Sequence, residues 1–159
     1  MWNSSARIEL NDHKDPNEKG EYVTRGNVTE QGIMKFFMSV EGGAECLKVK
    51  HELSDDTLLQ VISFSSSRKR ASVVVKKEDG SVRVYTKGAP DMLFEKLAGV
   101  QNIEGNVVEM EDDSTAPEEL GGGEHSQLEI LEKTVKYFAD QAYRTILVCY
   151  RDMSMDAYL

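Results

Sequence analysis

Apolar and β-branched residues gather in segments along the middle of the chain, with polar residues between them. The apolar segment Leu58–Phe64 predicts a buried strand, and Ala71–Lys77 and Ser81–Thr86 both carry the valines typical of strands. Asp79-Gly80 is a tight-turn signal, so the last two strands are predicted to form a β-hairpin. A further apolar run over Thr145–Arg151 predicts another core strand.

Three other segments carry the periodicity or the end signals of helices. Asn27 or Thr29 can cap a helix over residues 29–40, and Pro90 stands in what would be the first turn of a helix reaching Leu97. Later in the chain, apolar residues recur at three- and four-residue spacing, which predicts one face of an amphipathic helix. These residues are Leu128, Leu131, Val135, Phe138 and Ala142.

Weaker strand patterns complete the predicted set of elements. They lie at Ala6–Leu10, Cys46–Leu53 and Asn106–Met110. The hairpin signal favours antiparallel neighbours, and β-α-β repeats are few. The pattern therefore predicts an α+β fold and not a doubly wound parallel sheet.

The charge of the chain is unevenly distributed. The 159 residues carry a net charge of −9, yet the segment from Gln101 to Glu132 holds ten acidic residues and no Lys or Arg. From Phe64 to Lys87 the bias is reversed, with seven basic residues against two acidic ones. Because phosphate contacts dominate nucleic-acid affinity, a chain this acidic is a poor nucleic-acid binder. A local positive surplus can still attract a small polyphosphate.

Composition also suggests how the chain is organised. Residues 1–20 are predicted to be a leader or linker, and residues 21–159 a single domain with an acidic, glycine-rich surface loop at 111–125. No apolar run is long enough to cross a bilayer, so no direct membrane contact is expected. The acidic loop leaves an alternative open, in which the chain is a non-catalytic interaction or regulatory module that docks a basic partner.

Four short segments carry the candidate chemistry, each at the edge of a predicted element. Phe64 offers a flat ring on which a purine could stack, and the Glu30 carboxylate could accept from an exocyclic amine. Lys69 and Arg144 could donate charge-assisted hydrogen bonds to phosphates. Gly88 lets a ligand or another backbone approach closely. Taken singly, each also has a structural explanation, such as a core position for Phe64.

These segments resemble the nucleotide-binding domain of P-type ATPases, most closely that of plasma-membrane-type calcium pumps. The resemblance rests on Asn-x-Thr-Glu at 27–30, Phe-Ser-x-x-Arg-Lys-x-x-Ser-Val at 64–73, Lys-Gly-Ala-Pro at 87–90 and Arg-Thr at 144–145. Five positions depart from common family patterns. Val28 replaces a proline, Ser66 an often basic residue, Asp91 a frequent Glu, and Ala142-Tyr143 the usual Gly-Leu before Arg144. They affect the phosphate contacts more than the adenine platform.

The resemblance implies an antiparallel β-sheet flanked by helices and a binding site for ATP or ADP. It implies that Phe64 stacks on adenine, that Glu30 contacts the adenine edge and that Lys87 lines the deep end of the pocket. The remaining residues implied to bind nucleotide, several of them near the phosphates, are Ser65, Ser66, Lys69, Gly88, Ala89 and Arg144.

The resemblance also implies what this chain does not do. The aspartyl-phosphate motif Asp-Lys-Thr-Gly-Thr does not occur in it, so no catalytic residue and no metal ligand is expected here. The domain would hold ATP for transfer to an aspartate on a separate domain, with Mg²⁺ accompanying the nucleotide in the full-length pump. Its expected partners are the phosphorylation and actuator domains of that pump. The isolated domain is expected to be a monomer, and the pump to be an integral membrane protein with this domain in the cytoplasm.

Overall fold

A computed structural model describes residues 7–10, 22–42, 57–110 and 127–159. The strand predicted over Cys46–Leu53 and the loop predicted at 111–125 lie outside the described residues, as does most of the predicted leader at 1–20. Within the described residues the structure is α+β, as predicted.

Strands and helices alternate irregularly along the described chain. The strands are β1 (Arg7–Leu10), β2 (Tyr22–Arg25), β3 (Leu58–Ser65), β4 (Arg70–Lys76), β5 (Val82–Gly88), β6 (Gly99–Gln101), β7 (Val107–Glu109) and β8 (Leu147–Met153). The helices are α1 (Val28–Ser39), α2 (Gln127–Asp140) and α3 (Met155–Tyr158). The strands form a four-stranded antiparallel sheet in the order β3-β4-β5-β8 and two antiparallel ribbons, β1–β2 and β6–β7.

The chain divides into two compact units. The first contains the described residues of Met1–Val61, Val73–Arg83 and Met153–Leu159, and the second contains those of Ile62–Ser72 and Val84–Asp152.

The first unit is held together by buried apolar side chains and by hydrogen bonds between β2 and α1. Its most buried side chains are Met34, Val73, Val74, Val75 and Val82. The Thr24 hydroxyl of β2 donates to the Gln31 side-chain oxygen of α1 at 3.2 Å, which satisfies a polar group that is almost fully buried. The Gln31 amide donates in turn to the Gly26 carbonyl at 2.7 Å. The Gln31 side chain therefore holds the connection between β2 and α1 through two hydrogen bonds.

The predicted β4–β5 hairpin is confirmed. The Lys77 N–H donates to the Ser81 carbonyl at 2.8 Å, and the Gly80 N–H donates to the Lys77 carbonyl at 3.0 Å. Gly80 has φ +80°, a conformation that glycine adopts without steric cost. The Asp79-Gly80 signal therefore marks the turn correctly.

In the part of the chain that the structure describes, two strands predicted to lie in the core instead form the edges of the four-stranded sheet. Val61 of β3 is 56% exposed, and Val148 of β8 is 69% exposed. An edge strand packs against one neighbour only, so part of its apolar surface stays accessible. The prediction of a buried strand at Leu58–Phe64 and of a core strand at Thr145–Arg151 is therefore wrong in burial, although both strands exist.

The helix predicted from Pro90 to Leu97 is replaced by two short 3₁₀ turns, Pro90–Met92 and Phe94–Lys96. Leu93 between them has φ −120°, which interrupts the helical backbone, and its side chain is buried at 3% exposure. Its hydrogen bond runs from its N–H to the Pro90 carbonyl, the i→i+3 pattern of a 3₁₀ turn. The burial of Leu93 at this break is consistent with packing overriding local helix preference.

Candidate functional site

Phe64 lies one residue before the end of edge strand β3, in the second unit. Its side chain is 62% exposed, so the explanation of Phe64 as a core residue does not hold. An exposed aromatic ring can accept a stacked base, because every purine presents an apolar π-face. The ring therefore has the accessibility that the predicted adenine contact requires.

The serine-rich turn after Phe64 is held by its own side chains. The Ser65 hydroxyl accepts from the Arg68 backbone N–H and from the Arg68 guanidinium, both at 3.3 Å, and it bonds the Ser67 hydroxyl at 3.1 Å. Arg68 also donates to the Ser63 carbonyl at 2.6 Å. These contacts fill the capacity of the Ser65 hydroxyl. Ser66 is exposed and is the better placed of the two predicted serines to meet a ligand.

Lys69 ends this turn with φ +47°, in the left-handed region. Its backbone is fixed on both sides, because its N–H donates to the Ser65 carbonyl at 2.8 Å and its carbonyl accepts the Ala89 N–H at 3.0 Å. Its ammonium lies 3.7 Å from an Asp91 carboxylate oxygen, and both side chains are more than half exposed. The structure thus brings Lys69 and Ala89, both predicted site residues, into direct contact.

Gly88 explains how these two segments come so close. A Cβ placed on Gly88 would lie 2.7 Å from the Lys69 carbonyl oxygen and 2.7 Å from the Arg70 Cβ. Real Cβ atoms do not approach other atoms so closely. The close approach that Gly88 permits is therefore to a neighbouring backbone. Gly88 therefore shapes the candidate site by allowing β5 to lie close to the Lys69 backbone, with no contact to a ligand required.

Lys87 precedes Gly88 near the end of β5 and is half-buried. Beside it, the Thr86 hydroxyl bonds the Ser72 hydroxyl at 2.7 Å, which ties β5 to β4 across the sheet. Cross-strand pairs of this kind fix the register of neighbouring strands. The lysine therefore lies next to a residue whose side chain is hydrogen-bonded to the neighbouring strand β4.

Arg144 follows a well-formed helix end. Ala142 has φ +60° and donates from its N–H to the Ala139 carbonyl at 2.9 Å, while the Tyr143 N–H donates to the Phe138 carbonyl at 3.0 Å. This pair of bonds is the Schellman motif, and its usual apolar contact is present, with the Tyr143 and Phe138 rings 6.2 Å apart edge to face. Arg144 itself is exposed. The departure from glycine at Ala142 leaves the turn intact.

Glu30 lies in the first turn of α1 and belongs to the first unit, whereas the other predicted site residues belong to the second. The α1 cap is Asn27, whose side-chain oxygen accepts the Thr29 N–H at 2.9 Å. Of the two predicted caps, Asn27 is the correct one. Glu30 is half-buried, and a carboxylate in this position also stabilises the helix N-terminus.

Two positioning residues were not among the predicted site residues. Arg68 holds the serine turn, and Asp91 pairs with Lys69. Asp91 directly follows the Lys-Gly-Ala-Pro motif at 87–90, so its position next to a predicted site segment could be read from the sequence. The spacing between that motif and the serine-rich turn does not indicate that Asp91 and Lys69 meet.

Cys149 on β8 is a free, half-buried thiol. Burial raises the pKa of the Cys149 thiol above its ordinary value, and the Arg70 guanidinium opposes this rise. Since the thiolate is the reactive form, this cysteine is a poor nucleophile at neutral pH. It is not a candidate for covalent chemistry.

Two further features of the described residues bear on chemistry. In residues 7–10, 22–42, 57–110 and 127–159, no group of three or more His, Cys, Asp or Glu side chains could hold a metal ion. A separate apolar pocket of about 200 Å³ lies in the second unit. It is lined by Val100, Asn102, Val108, Gln127, Ile130 and Leu131, none of which was predicted to bind nucleotide.

Comparison with known proteins agrees with the resemblance drawn from the motifs. The family described as the cytoplasmic domain N of P-type ATPases matches residues 3–158. The chain belongs to this family. None of the helices in its described segments has the length and apolar character needed to span a membrane.

The similar proteins include pumps from a fungus, an animal and a plant. Calcium-transporting ATPase 2 of Cryptococcus neoformans is 29% identical over 153 residues, which are 96% of this chain and 10% of that protein. Plasma membrane calcium-transporting ATPase 3 of Rattus norvegicus is 28% identical, over 81% of this chain and 9% of its own. Calcium-transporting ATPase 2, plasma membrane-type, of Arabidopsis thaliana is 28% identical, over 86% and 12% respectively. The chain thus spans about a tenth of the length of these relatives.

Proposed function

We propose that this chain is the ATP-binding domain of a calcium-transporting P-type ATPase. In this proposal it holds ATP so that the γ-phosphate can be transferred to an aspartate on a separate domain. The supporting observation is the exposed ring of Phe64 at the end of β3, in a chain that belongs to the domain N family.

The base would bind at Phe64, with stacking worth roughly 1–3 kcal/mol. Glu30 would accept a hydrogen bond from the exocyclic amine of adenine. Lys87, half-buried beside Gly88, would close the deep end of the pocket. These are the contacts that ATP, ADP and adenosine would share.

The phosphates would bind at the cationic side chains. Lys69 and Arg144 would donate charge-assisted hydrogen bonds, and the exposed hydroxyl of Ser66 would add a neutral one. Ser65 and Ala89 would shape this end of the site, because their polar groups already bond Arg68 and Lys69. Phosphoryl transfer depends on positioning and charge stabilisation, so holding the nucleotide in place is a sufficient contribution for this domain.

The relatives' names support calcium as the transported ion. In the full-length pump this domain would work in the cytoplasm with the phosphorylation and actuator domains. Mg²⁺ would arrive on the phosphates of the nucleotide, since the described residues supply no cluster that could hold it.

An NMR titration of the ¹⁵N-labelled domain with ATP tests this proposal. We expect a dissociation constant on the order of 0.1–1 mM, or about −4 to −5.5 kcal/mol, because the isolated domain lacks the partner that closes over the phosphates. The amide signals of Glu30, Phe64, Lys87 and Gly88 should shift. Shifts confined to the apolar pocket at Val100 and its neighbours would contradict the proposed site.

A further inference from the structure

We propose that Asp91 is a built-in counter-ion of Lys69 that competes with nucleotide phosphates. It would thereby set how strongly the site prefers ATP and ADP over adenosine. This inference rests on the proposed function and names a residue that regulates the affinity of the same site.

The backbone around the pair holds the two residues close to each other. Gly88 lies against the Lys69 carbonyl, where a Cβ would be only 2.7 Å away, and the Ala89 N–H donates to that same carbonyl at 3.0 Å. Pro90 then opens a 3₁₀ turn with a fixed φ, and Asp91 is the next residue. The backbone hydrogen bond of Ala89 and the fixed φ of Pro90 therefore place the Asp91 carboxylate near Lys69.

The ion pair itself is weak enough to exchange. Its N–O distance is 3.7 Å, and the Lys69 and Asp91 side chains are 55% and 66% exposed. Exposed pairs with such geometry contribute little free energy, since water screens both charges. A phosphate carries more charge than a carboxylate and offers more acceptor oxygens, so it can displace Asp91 from Lys69.

Asp91 also acts on the ligand directly. A negative charge within reach of Lys69 repels an incoming phosphate, and this repulsion remains after the ion pair has opened. Both effects have the same sign, because both weaken the binding of anionic ligands. Neither acts on adenosine, which carries no charge.

The test measures dissociation constants for ATP, ADP and adenosine by calorimetry or NMR titration. Asp91→Asn keeps the size of the side chain and removes its charge. We expect it to bind ATP and ADP about two- to fivefold more tightly, the range that an exposed ion pair supports, and to leave adenosine unchanged. Asp91→Glu keeps the charge and should behave like the wild type.

A double-mutant cycle assigns the effect to Lys69. In a Lys69→Gln background, Asp91→Asn should tighten ATP binding by clearly less than it does in the wild type. An equal gain in both backgrounds would overturn the inference, because Asp91 would then act only as a general surface charge. Weaker ATP binding by Asp91→Asn would overturn it too, since Asp91 would then orient Lys69 for the ligand.

The two proposals can fail separately. If adenosine binds and Phe64→Ala weakens that binding, the proposed function stands, and an unchanged ATP affinity in Asp91→Asn would overturn this inference alone. If the wild-type domain binds neither ATP nor adenosine, the proposed function is wrong and this inference is overturned with it.

Discussion

Gly88 and Lys69 lie so close that any side chain on Gly88 would collide with the Lys69 carbonyl oxygen, since a Cβ there would lie 2.7 Å away. The contact joins the strand that carries Lys87 to the serine-rich turn that follows Phe64. Two segments separated by about twenty residues in the sequence thereby form one surface.

This relationship predicts a large penalty for Gly88→Ala. The added methyl group must displace backbone of β4, and overpacking of this kind costs about 1–3 kcal/mol. Gly32 in α1 is the matched control, because a Cβ there meets nothing within 4 Å. Gly32→Ala should stabilise the protein by about 0.5–1 kcal/mol. Urea denaturation measures the free energy of unfolding of both variants. If Gly88→Ala leaves that free energy unchanged, the close approach of Gly88 to Lys69 is contradicted.

The helix end before Arg144 predicts a stabilising substitution. Ala142 adopts φ +60°, which costs a non-glycine residue about 1 kcal/mol, so Ala142→Gly should raise the free energy of unfolding by about that amount. Ala139→Gly, inside α2, should lower it by about 1 kcal/mol. Thermal or urea unfolding measures the free energy of unfolding of Ala142→Gly and Ala139→Gly. Destabilisation by both variants would show that Ala142 is not in the left-handed region.

Arg144 is predicted to act on phosphates and not on the base. Arg144→Ala should weaken ATP and ADP binding by about 1.5 kcal/mol, the lower end of the range for hydrogen bonds to charged groups, because the side chain is exposed. Adenosine binding should not change. Arg151→Ala, which removes an exposed arginine within β8, is the control and should leave all three affinities unchanged. Equal losses for all three ligands in Arg144→Ala would exclude a phosphate role.

The β4–β5 turn makes a prediction about pH. The Ser81 hydroxyl donates to the Asp79 carboxylate at 2.5 Å, and the Ser81 N–H donates to it at 2.9 Å. These bonds, with help from Lys77, lower the pKa of Asp79 from 3.8 to about 2. A lowered pKa stabilises the folded state above about pH 3.8, and this contribution is lost as the pH falls towards 2.

Carboxyl-detected NMR titration measures this value directly. Asp79 should titrate near 2 in the wild type, and Ser81→Ala should return its pKa towards 3.8, because the substitution removes the hydroxyl donor. A wild-type Asp79 that titrates at the ordinary value would show that the turn bonds do not form in solution.

The local elements could be predicted because their signals lie within a few residues. Asp79-Gly80 between two valine-rich segments is sufficient to predict the hairpin, and Asn27 ahead of an apolar run is sufficient to place the start of α1. The strands β2 and β6 were not predicted. At four and three residues they are too short to show a period, and they form through pairing with β1 and β7.

Features set by long-range packing could not be predicted. Whether Leu58–Phe64 lies in the centre or at the edge of the sheet depends on strand order, which no local pattern encodes. The break at Leu93 depends in the same way on where that side chain is buried. The residue types of the site could be read from the motifs. The contact between Lys69 and Asp91 could not, because it depends on the left-handed backbone of Lys69 and on the close approach of Gly88 in β5.

The most direct test of the account compares two phenylalanines with almost equal exposure. Phe64 is 62% exposed and Phe36 of α1 is 64% exposed, so their alanine variants remove similar amounts of accessible ring. By calorimetry, Phe64→Ala should weaken ATP, ADP and adenosine binding alike by roughly 1–3 kcal/mol, and Phe36→Ala should change none of them. If Phe64→Ala binds all three ligands as the wild type does, Phe64 is not the adenine platform and the account is wrong.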